Sequence, residues 1–598
     1  MITKTAIYHR GKNNFCYGYD KDTLHVRVRL AKNEAQKVSL RIGDPYDWAT
    51  GIGGNLNAEG AKDWIGGTTI PMKKEAETEL YEYWIASFMN DTKRFRYAFI
   101  IEDQDEKIIF GEKRIVTLNP ENEEAALQEV NNFFCMPYMN NIDIGNVPNW
   151  VKDTVWYQIF PERFANGNDA ITPENAVPWG SEPTPENFMG GDLYGVIDKL
   201  DYLQDLGITG LYFCPIFHAS SNHKYDTIDY MEIDPQFGDK ETFKKLVEEA
   251  HKRGIRVMLD AVFNHAGYQS KFFQDVLENQ EKSIYKDWFY LPEFPVSFEK
   301  GNYEKFGYCN PMPKFNTENP ECREYLLEVA RYWVREFDID GWRLDVANEV
   351  DHVFWRDFRR EVRAIKSDVY ILGEIWHDSM PWLQGDQFDA VMDYPVGSAI
   401  IDFICYQKIS AEEYKYALSE ALVRYPKNMN EVTFALLDSH DTARIVTRCK
   451  DDLDKVRLAY LLLFSYTGSP SIYYGGEIGL NGLDDPGCRK AMPWDALDAN
   501  KEFTSFIRRL IELRKTVPAL RSQTFKWVDT ESESLLMYRK DAEEGNVWFV
   551  INNSDTEQRI DTALFENHSY VDLISGEKVT LSASQTIPAF GYLVIQEG

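Results

Sequence analysis

The stretch "GWRLDVANEV", Gly341 to Val350, sets Arg343 and Asp345 inside an otherwise apolar run. Alternate side chains of a strand point to opposite faces, so Gly341, Arg343 and Asp345 share one face and Trp342, Leu344 and Val346 the other. One face is charged and the other apolar, which is unusual for an ordinary core strand. Either the charges form a structural ion pair or they line a site.

Outward from this segment the chain alternates strand and helix. "PECREYLLEVARYWVREFD" precedes it, a helix with Pro320 near its start, where proline is tolerated. "HVFWRDFRREVRAIK" follows as a helix and "VYILGEIW" as a strand. Upstream lie the strands "VWYQIF", "ITGLYFCPIF" and "IRVMLDAVFNH"; downstream lie "DAVMDYP", "VTFALLDSHD" and "SIYYGGEIG". Alternation implies parallel pairing, and eight units over more than 300 residues fit a closed (β/α)8 barrel. The expected barrel covers 145–520, with an aromatic and polar insert at 265–318 after the third strand. Residues 1–135 read as a β-sandwich, because "LHVRVRL" and "FRYAFII" alternate between turn residues. Residues 521–598 read as a second all-β unit.

Sixty-five basic against 96 acidic side chains leave a net charge of −31, which makes nucleic acid and anionic membranes poor partners. The eight cysteines show no CxxC spacing, so neither zinc nor a dense disulfide framework is indicated. The start, "MITKTAIYHRGKNN", has no apolar signal-peptide core, and the apolar run "LAYLLLFSY" is too short to cross a bilayer. A cytoplasmic location is expected.

Chemistry in such barrels sits at the C-terminal strand ends. There the sequence places Asp260, Asn264 and His265, then Arg343 and Asp345, then Glu374, then His440 and Asp441. Each alone reads equally well as a helix cap or a loop hydrogen bond. Together they do not, because clustered carboxylates are costly to hold without a use. Two carboxylates across a cavity suit glycoside hydrolysis: one protonates the leaving oxygen while the other attacks the sugar or activates water. Arg343 would hold Asp345 ionised.

"DAVFNH", "GWRLDVANE", "GEIW" and "LLDSHD" resemble, in order, the four signature regions of the α-amylase family. "MPKFN" resembles the fifth region of its neopullulanase, cyclomaltodextrinase and maltogenic amylase group, and "GSPSIYYGGEIG" matches a late barrel motif. The resemblance implies Asp345 as nucleophile, Glu374 as general acid/base and Asp441 as transition-state stabiliser. It implies that His265, Arg343 and His440 bind the sugar at the cleavage point, with Tyr225 stacked under it and His223 nearby. Asp485 and Arg489 match further sugar-binding positions. Trp376 sits on the leaving-group side or packs in the core. "FANGN" and "MGGDL" resemble the group's calcium loop, through Asn166, Asn168, the Gly190 carbonyl and Asp192, although Ile171 and Thr172 stand where Asn and Asp occur in some members. The implied substrates are cyclodextrins, pullulan and short maltodextrins. The alternatives are transfer of the glycosyl group to a sugar acceptor and a barrel that only binds carbohydrate. The resemblance also implies a homodimer whose N-terminal domain shapes the neighbouring site.

Overall fold

The computed structural model describes residues 1–48, 51–52, 64–565 and 569–597, so parts of the expected spans 1–135 and 521–598 lie outside the described residues. The chain forms two compact units.

The first unit comprises Met1–Asn146, Met380–Asp386 and Glu412–Asn430. Its antiparallel sheets run 16–18, 23–31, 81–89, 73–77 and 115–117, 107–110, 95–102, 37–43, 67–71, with Phe134–Met136 added on 95–102. Leu24, Val26, Val28 and Leu30 face inward with Leu40, Phe99 and Ile101, as the alternation requires. The opposite face of that strand is not a solvent face: His25 and Arg27 are buried as well. Arg27 pairs with Glu75 at 2.6 Å and, together with Asn14, donates to the Val423 carbonyl at 3.1 and 3.0 Å. Lys427 reaches Glu75 at 3.0 Å. These bonds to the end of helix Ala411–Arg424 explain why the unit extends beyond the expected 1–135.

The second unit carries the barrel. Its strands are β1 (Trp156–Ile159), β2 (Gly210–Phe213), β3 (Arg256–Ala261), β4 (Gly341–Leu344), β5 (Tyr370–Gly373), β6 (Ala390–Val391), β7 (Phe434–Ala435) and β8 (Ser469–Tyr473). They pair in the order β6-β5-β4-β3-β2-β1-β8-β7, all parallel, and a parallel bridge between Met392 and Phe434 closes the ring. The helices begin where the sequence signals them. The Asp239 carboxylate accepts from Thr242 N to open Lys240–Lys252, and Asn319 caps Pro320–Phe337. Gly207, at φ 98°, ends Leu200–Leu206 in a conformation open to glycine.

The barrel interior is filled. Trp156, Tyr212, Met258, Tyr370 and Phe434 form one apolar cluster, with the Trp156 and Tyr370 rings 5.8 Å apart. Two residues further along β1 and β3, on the same faces, come Gln158 and Asp260, and Asp260 pairs in register with Arg343 on β4. A buried polar layer thus lies directly above the apolar one, towards the strand C-termini.

The insert after β3 contains helix Lys271–Asn279 and a core of Phe272, Phe273, Trp288, Phe289 and Phe315. Phe315 N donates to the Asn264 carbonyl at 3.0 Å, which fixes the insert to the β3 end. At the C-terminus a six-stranded antiparallel sheet accompanies the pair Gln558–Asp561 and Ser584–Ile587. The buried Lys540 of that sheet donates to the Leu520 carbonyl at 3.0 Å and to the carbonyl of Ser465. Arg514, also buried, donates to the carbonyls of Phe464, Tyr466, Thr467 and Gly468, just ahead of β8, and to that of Leu520. Peptide groups that leave a helix and enter a strand lack ladder partners, and this one guanidinium satisfies them.

Candidate active site

Arg343 is the hub. It is fully buried, and its Nη1 lies 2.8 Å from Asp345 Oδ1 and 3.0 Å from Asp260 Oδ2. Its Nη2 lies 2.7 Å from Glu374 Oε1. The expected Arg343–Asp345 pair is therefore present, but it is part of a larger group: one cation serves three carboxylates from β3, β4 and β5. Asp260 and Arg343 face each other in the β3–β4 register, which brings the first of these contacts about. The cluster is short of positive charge. Burial, opposed by Arg343, pushes Asp260 up to about 6. Burial also raises Asp345 well above the usual carboxylate range; Glu374 and Asp260 add to that rise, and Arg343 opposes it.

Two features prepare Asp345 and Glu374 for different work. Asp345 Oδ2 is buried and receives no hydrogen bond, although Oδ1 is fixed by Arg343. Glu374 Oε2 accepts from Val346 N at 3.0 Å. Val346 holds that donor in place from φ 44°, ψ 44°. A β-branched residue is strained in this region, at a cost of about 1–3 kcal/mol.

A second cluster faces the first. Tyr225 OH donates to Asp260 Oδ2 at 2.9 Å and lies 2.6 Å from His440 Nε2, and the two rings are parallel at 5.3 Å. His440 Nε2 lies 3.2 Å from Asp441 Oδ2. Arg489 reaches Asp441 at 3.2 Å and Asp485 at 2.8 Å, and its Nε donates to the His440 carbonyl at 2.8 Å. His223 Nδ1 accepts from Tyr225 N at 3.1 Å, and His265 Nε2 meets the Tyr225 carbonyl at 3.1 Å. Burial lowers His223 and His265 to about 4 and takes His440 well below the ordinary imidazole value, so all three are neutral at pH 7.

The carboxylates open into a cleft of about 450 Å³. His223, Tyr225, His265, Asp345, Glu374, Trp376, Asp441, Asp485 and Arg489 all line it. Arg343 and His440 lie immediately behind, in contact with that lining. Trp376 is not a core residue: it is 53% exposed, and its ring stacks on Tyr394 at 3.6 Å. The insert adds Met312, which opens the "MPKFN" motif, and Phe306, which the sequence reading did not single out and which stacks on His265 at 5.3 Å. Asn348 and Glu349 line the cleft too. Their signal was available, since they follow Asp345 in the turn after β4.

The loop with Asn166, Asn168, Gly190 and Asp192 is brought together, but as a turn closed by its own hydrogen bonds. The buried Asp192 carboxylate accepts from the backbone N–H groups of Gly167, Asn168 and Gly195. Asn168 Oδ1 accepts from Ala170 N, and Asn166 Nδ2 donates to Thr172 Oγ1 at 2.8 Å. A calcium ion takes six to eight oxygens. The loop also carries the Asp169 carboxylate, and its Thr172 hydroxyl accepts from the Asn166 amide. The Asn166 amide oxygen and the Gly190 carbonyl lie in the same loop as Asp192 and are oxygen donors of the kind a calcium ion takes.

Paired acids, a guanidinium hub and neutral imidazoles around a cleft at the C-terminal face of a (β/α)8 barrel define a glycosidase site. The family described as "Alpha amylase, catalytic domain" matches residues 158–575, and "Alpha amylase, N-terminal ig-like domain" matches residues 1–140. The chain is 50% identical over 600 residues to a cyclomaltodextrinase of Geobacillus thermopakistaniensis (strain MAS1), with 99% of each chain covered. It is 51% identical over 556 residues to a maltogenic alpha-amylase of Bacillus acidopullulyticus, with 92% of each covered. A solved cyclomaltodextrinase structure superposes with a TM-score of 0.91 at 43% identity, over 100% of both chains. The chain belongs to the α-amylase family of glycoside hydrolases.

Proposed function

We propose that the protein is a retaining α-glucan hydrolase that opens cyclodextrins and cleaves pullulan and short maltodextrins at α-1,4 bonds. The observation that carries this reading is the asymmetry between the two acids. Asp345 presents an oxygen free of hydrogen bonds, and Glu374 is held beside it by a backbone N–H. In this reading Asp345 Oδ2 attacks the anomeric carbon while Glu374 protonates the departing glycosidic oxygen. A glycosyl ester forms on Asp345, and Glu374 then takes a proton from the water that hydrolyses it. Asp441, steadied by Arg489 and His440, strengthens its hold on the sugar hydroxyls as positive charge develops on the ring. Neutral His265, His440 and His223 donate hydrogen bonds there without adding positive charge. Trp376 and Phe306 give the sugar faces apolar contact.

Proton NMR of the first product released from β-cyclodextrin is expected to show the α-anomer. A β-anomer excludes the covalent route, and no turnover of β-cyclodextrin, pullulan or maltodextrin excludes the substrate class. A structural calcium in the loop of Asn166, Asn168, Gly190 and Asp192 is part of the proposal, and a melting temperature unchanged by a chelator removes it. A cytoplasmic location agrees with eight cysteines in the free thiol form. No helix among the described residues is long and apolar enough to cross a membrane. The assembly we propose is a homodimer; Tyr138 and Ile142 of the first unit, 49% and 87% exposed, suit a protein partner. Deleting residues 1–135 is a poor test, because it strips the Val423 carbonyl of both its donors. Sedimentation of the full chain decides: a monomer at micromolar concentration removes the dimer.

A further inference from the structure

Gln158 is the one polar residue of β1, buried at the barrel axis and outside the cleft lining. Its Nε2 lies 2.7 Å from His440 Nδ1. The proton positions around this contact follow from what each partner can give. Asp260, bound by Arg343 through both oxygens, accepts from Tyr212 OH at 2.7 Å and from Tyr225 OH at 2.9 Å. Tyr225 has one phenolic proton, and it goes to that carboxylate. At 2.6 Å from His440 Nε2, the phenolic oxygen therefore accepts, and the proton between them belongs to the imidazole. Asp441 Oδ2, 3.2 Å from the same nitrogen, is an acceptor as well. Nε2 thus carries hydrogen, and in a neutral ring Nδ1 is bare. A bare buried nitrogen needs a donor, and the Gln158 amide N–H is the one beside it.

We propose that Gln158 is a positioning residue for the reaction: its amide N–H, given to Nδ1, keeps His440 in the Nε2–H tautomer, with that hydrogen directed at Tyr225 and Asp441. This rests on the reading of Asp441 and His440 as groups that hold the sugar. The charged groups facing the imidazole agree with a neutral ring. Burial disfavours the imidazolium, and Arg489 and Arg343 disfavour it further. Asp441 and Asp260 lie on the Nε2 side, directly and through Tyr225. Cys214, 3.5 Å from Gln158 Nε2, and Cys488, whose Sγ donates to the His440 carbonyl at 3.1 Å, are raised by burial and remain thiols. Among the described residues, Gln158 is the hydrogen-bond partner that Nδ1 has.

Two variants test the role. Gln158→Met keeps the length and removes the donor. It is expected to lower kcat/KM on β-cyclodextrin about ten- to hundredfold, with most of the loss in kcat. Gln158→Glu turns the donor into an acceptor, which draws a proton onto Nδ1 and favours the imidazolium. Its pH profile of kcat/KM is expected to gain a limb between about pH 6 and 8 that neither the wild type nor Gln158→Met shows. A Gln158→Glu profile that superimposes on the wild type's overturns the proposal, and so does full kcat/KM in Gln158→Met. Because either variant can fold poorly, neutron diffraction from crystals of the unmodified protein supplies a direct readout. A deuteron on His440 Nε2 and none on Nδ1 is expected, and a deuteron on Nδ1 overturns the assignment. That measurement involves no turnover, so it stands even if the α-glucan reading fails.

Discussion

Asp345→Asn is expected to lower turnover of β-cyclodextrin about 10³-fold or more while the protein becomes more heat-stable at neutral pH. The first half follows from the nucleophile assignment: an amide cannot form the glycosyl ester. The second half follows from burial. Asp345 is buried beside Asp260 and Glu374, and burial raises its pKa well above the usual range. A carboxyl raised in the folded state contributes stability that is complete below its unfolded pKa, near 3.9, and lost as pH rises through the folded value. By pH 7 the stability that the raised carboxyl contributes at low pH is diminished, and Asn removes the cost of ionising it while leaving Arg343 two other partners. The melting temperature of the variant should exceed that of the wild type at pH 7, and the gap should narrow towards pH 4. A variant equally or less stable at both pH values would show that Arg343 outweighs burial at this carboxylate. The same shift places the acid limb of kcat/KM above pH 4, because the nucleophile must lose its proton to act.

How much of this was legible in the sequence depends on the range of the interaction. Period-2 alternation put Arg343 and Asp345 on one face, and the structure pairs them at 2.8 Å. Strand–helix alternation gave eight parallel strands, and the rim residues read from strand ends do converge. What the sequence could not show is which neighbour a buried charge meets across the sheet. Asp260 was visible as a strand-end acid, but only the β3–β4 register sets it opposite Arg343 and makes a four-member cluster from an expected pair. Gln158 was invisible for the same reason: a single amide in "VWYQIF" has no pattern, and its meaning lies in His440, 282 residues away. His25 and Arg27 mislead in the opposite direction. Their alternation suggests solvent, yet Arg27 bonds to a helix distant in sequence and His25 packs against Tyr17 and Tyr19. The Asp192 loop shows a motif whose chemistry depends on its companions. Thr172 Oγ1 and Asn168 Oδ1 each accept a hydrogen bond from within the loop, which the motif alone did not show.

Removing the hub should cost more than removing either acid. Arg343→Leu leaves Asp260, Asp345 and Glu374 buried around a side chain that offers no charge and no donor. Breaking a buried ion pair by deleting one partner costs about 3–5 kcal/mol, because the charge left behind is uncompensated. Here three are left, so the variant should be destabilised by at least that much and be inactive. Arg343→Lys separates charge from shape. An ammonium is a point charge, whereas the guanidinium spans Asp345 and Asp260 through Nη1 and Glu374 through Nη2. Lys is therefore expected to recover much of the stability but to leave kcat at least about 10²-fold low, because the two acids are no longer held by one rigid plane. The pH dependence distinguishes electrostatics from packing. Arg343 lowers both Asp260 and Asp345, so its loss raises them further. Asp260 and Asp345 of Arg343→Leu then hold protons at pH 5 and need no cation, whereas at pH 8 they are driven to ionise. Denaturant unfolding of Arg343→Leu should accordingly show a much smaller loss of stability at pH 5 than at pH 8, and equal losses would mean that the side chain fills space at the barrel axis and governs no charge there.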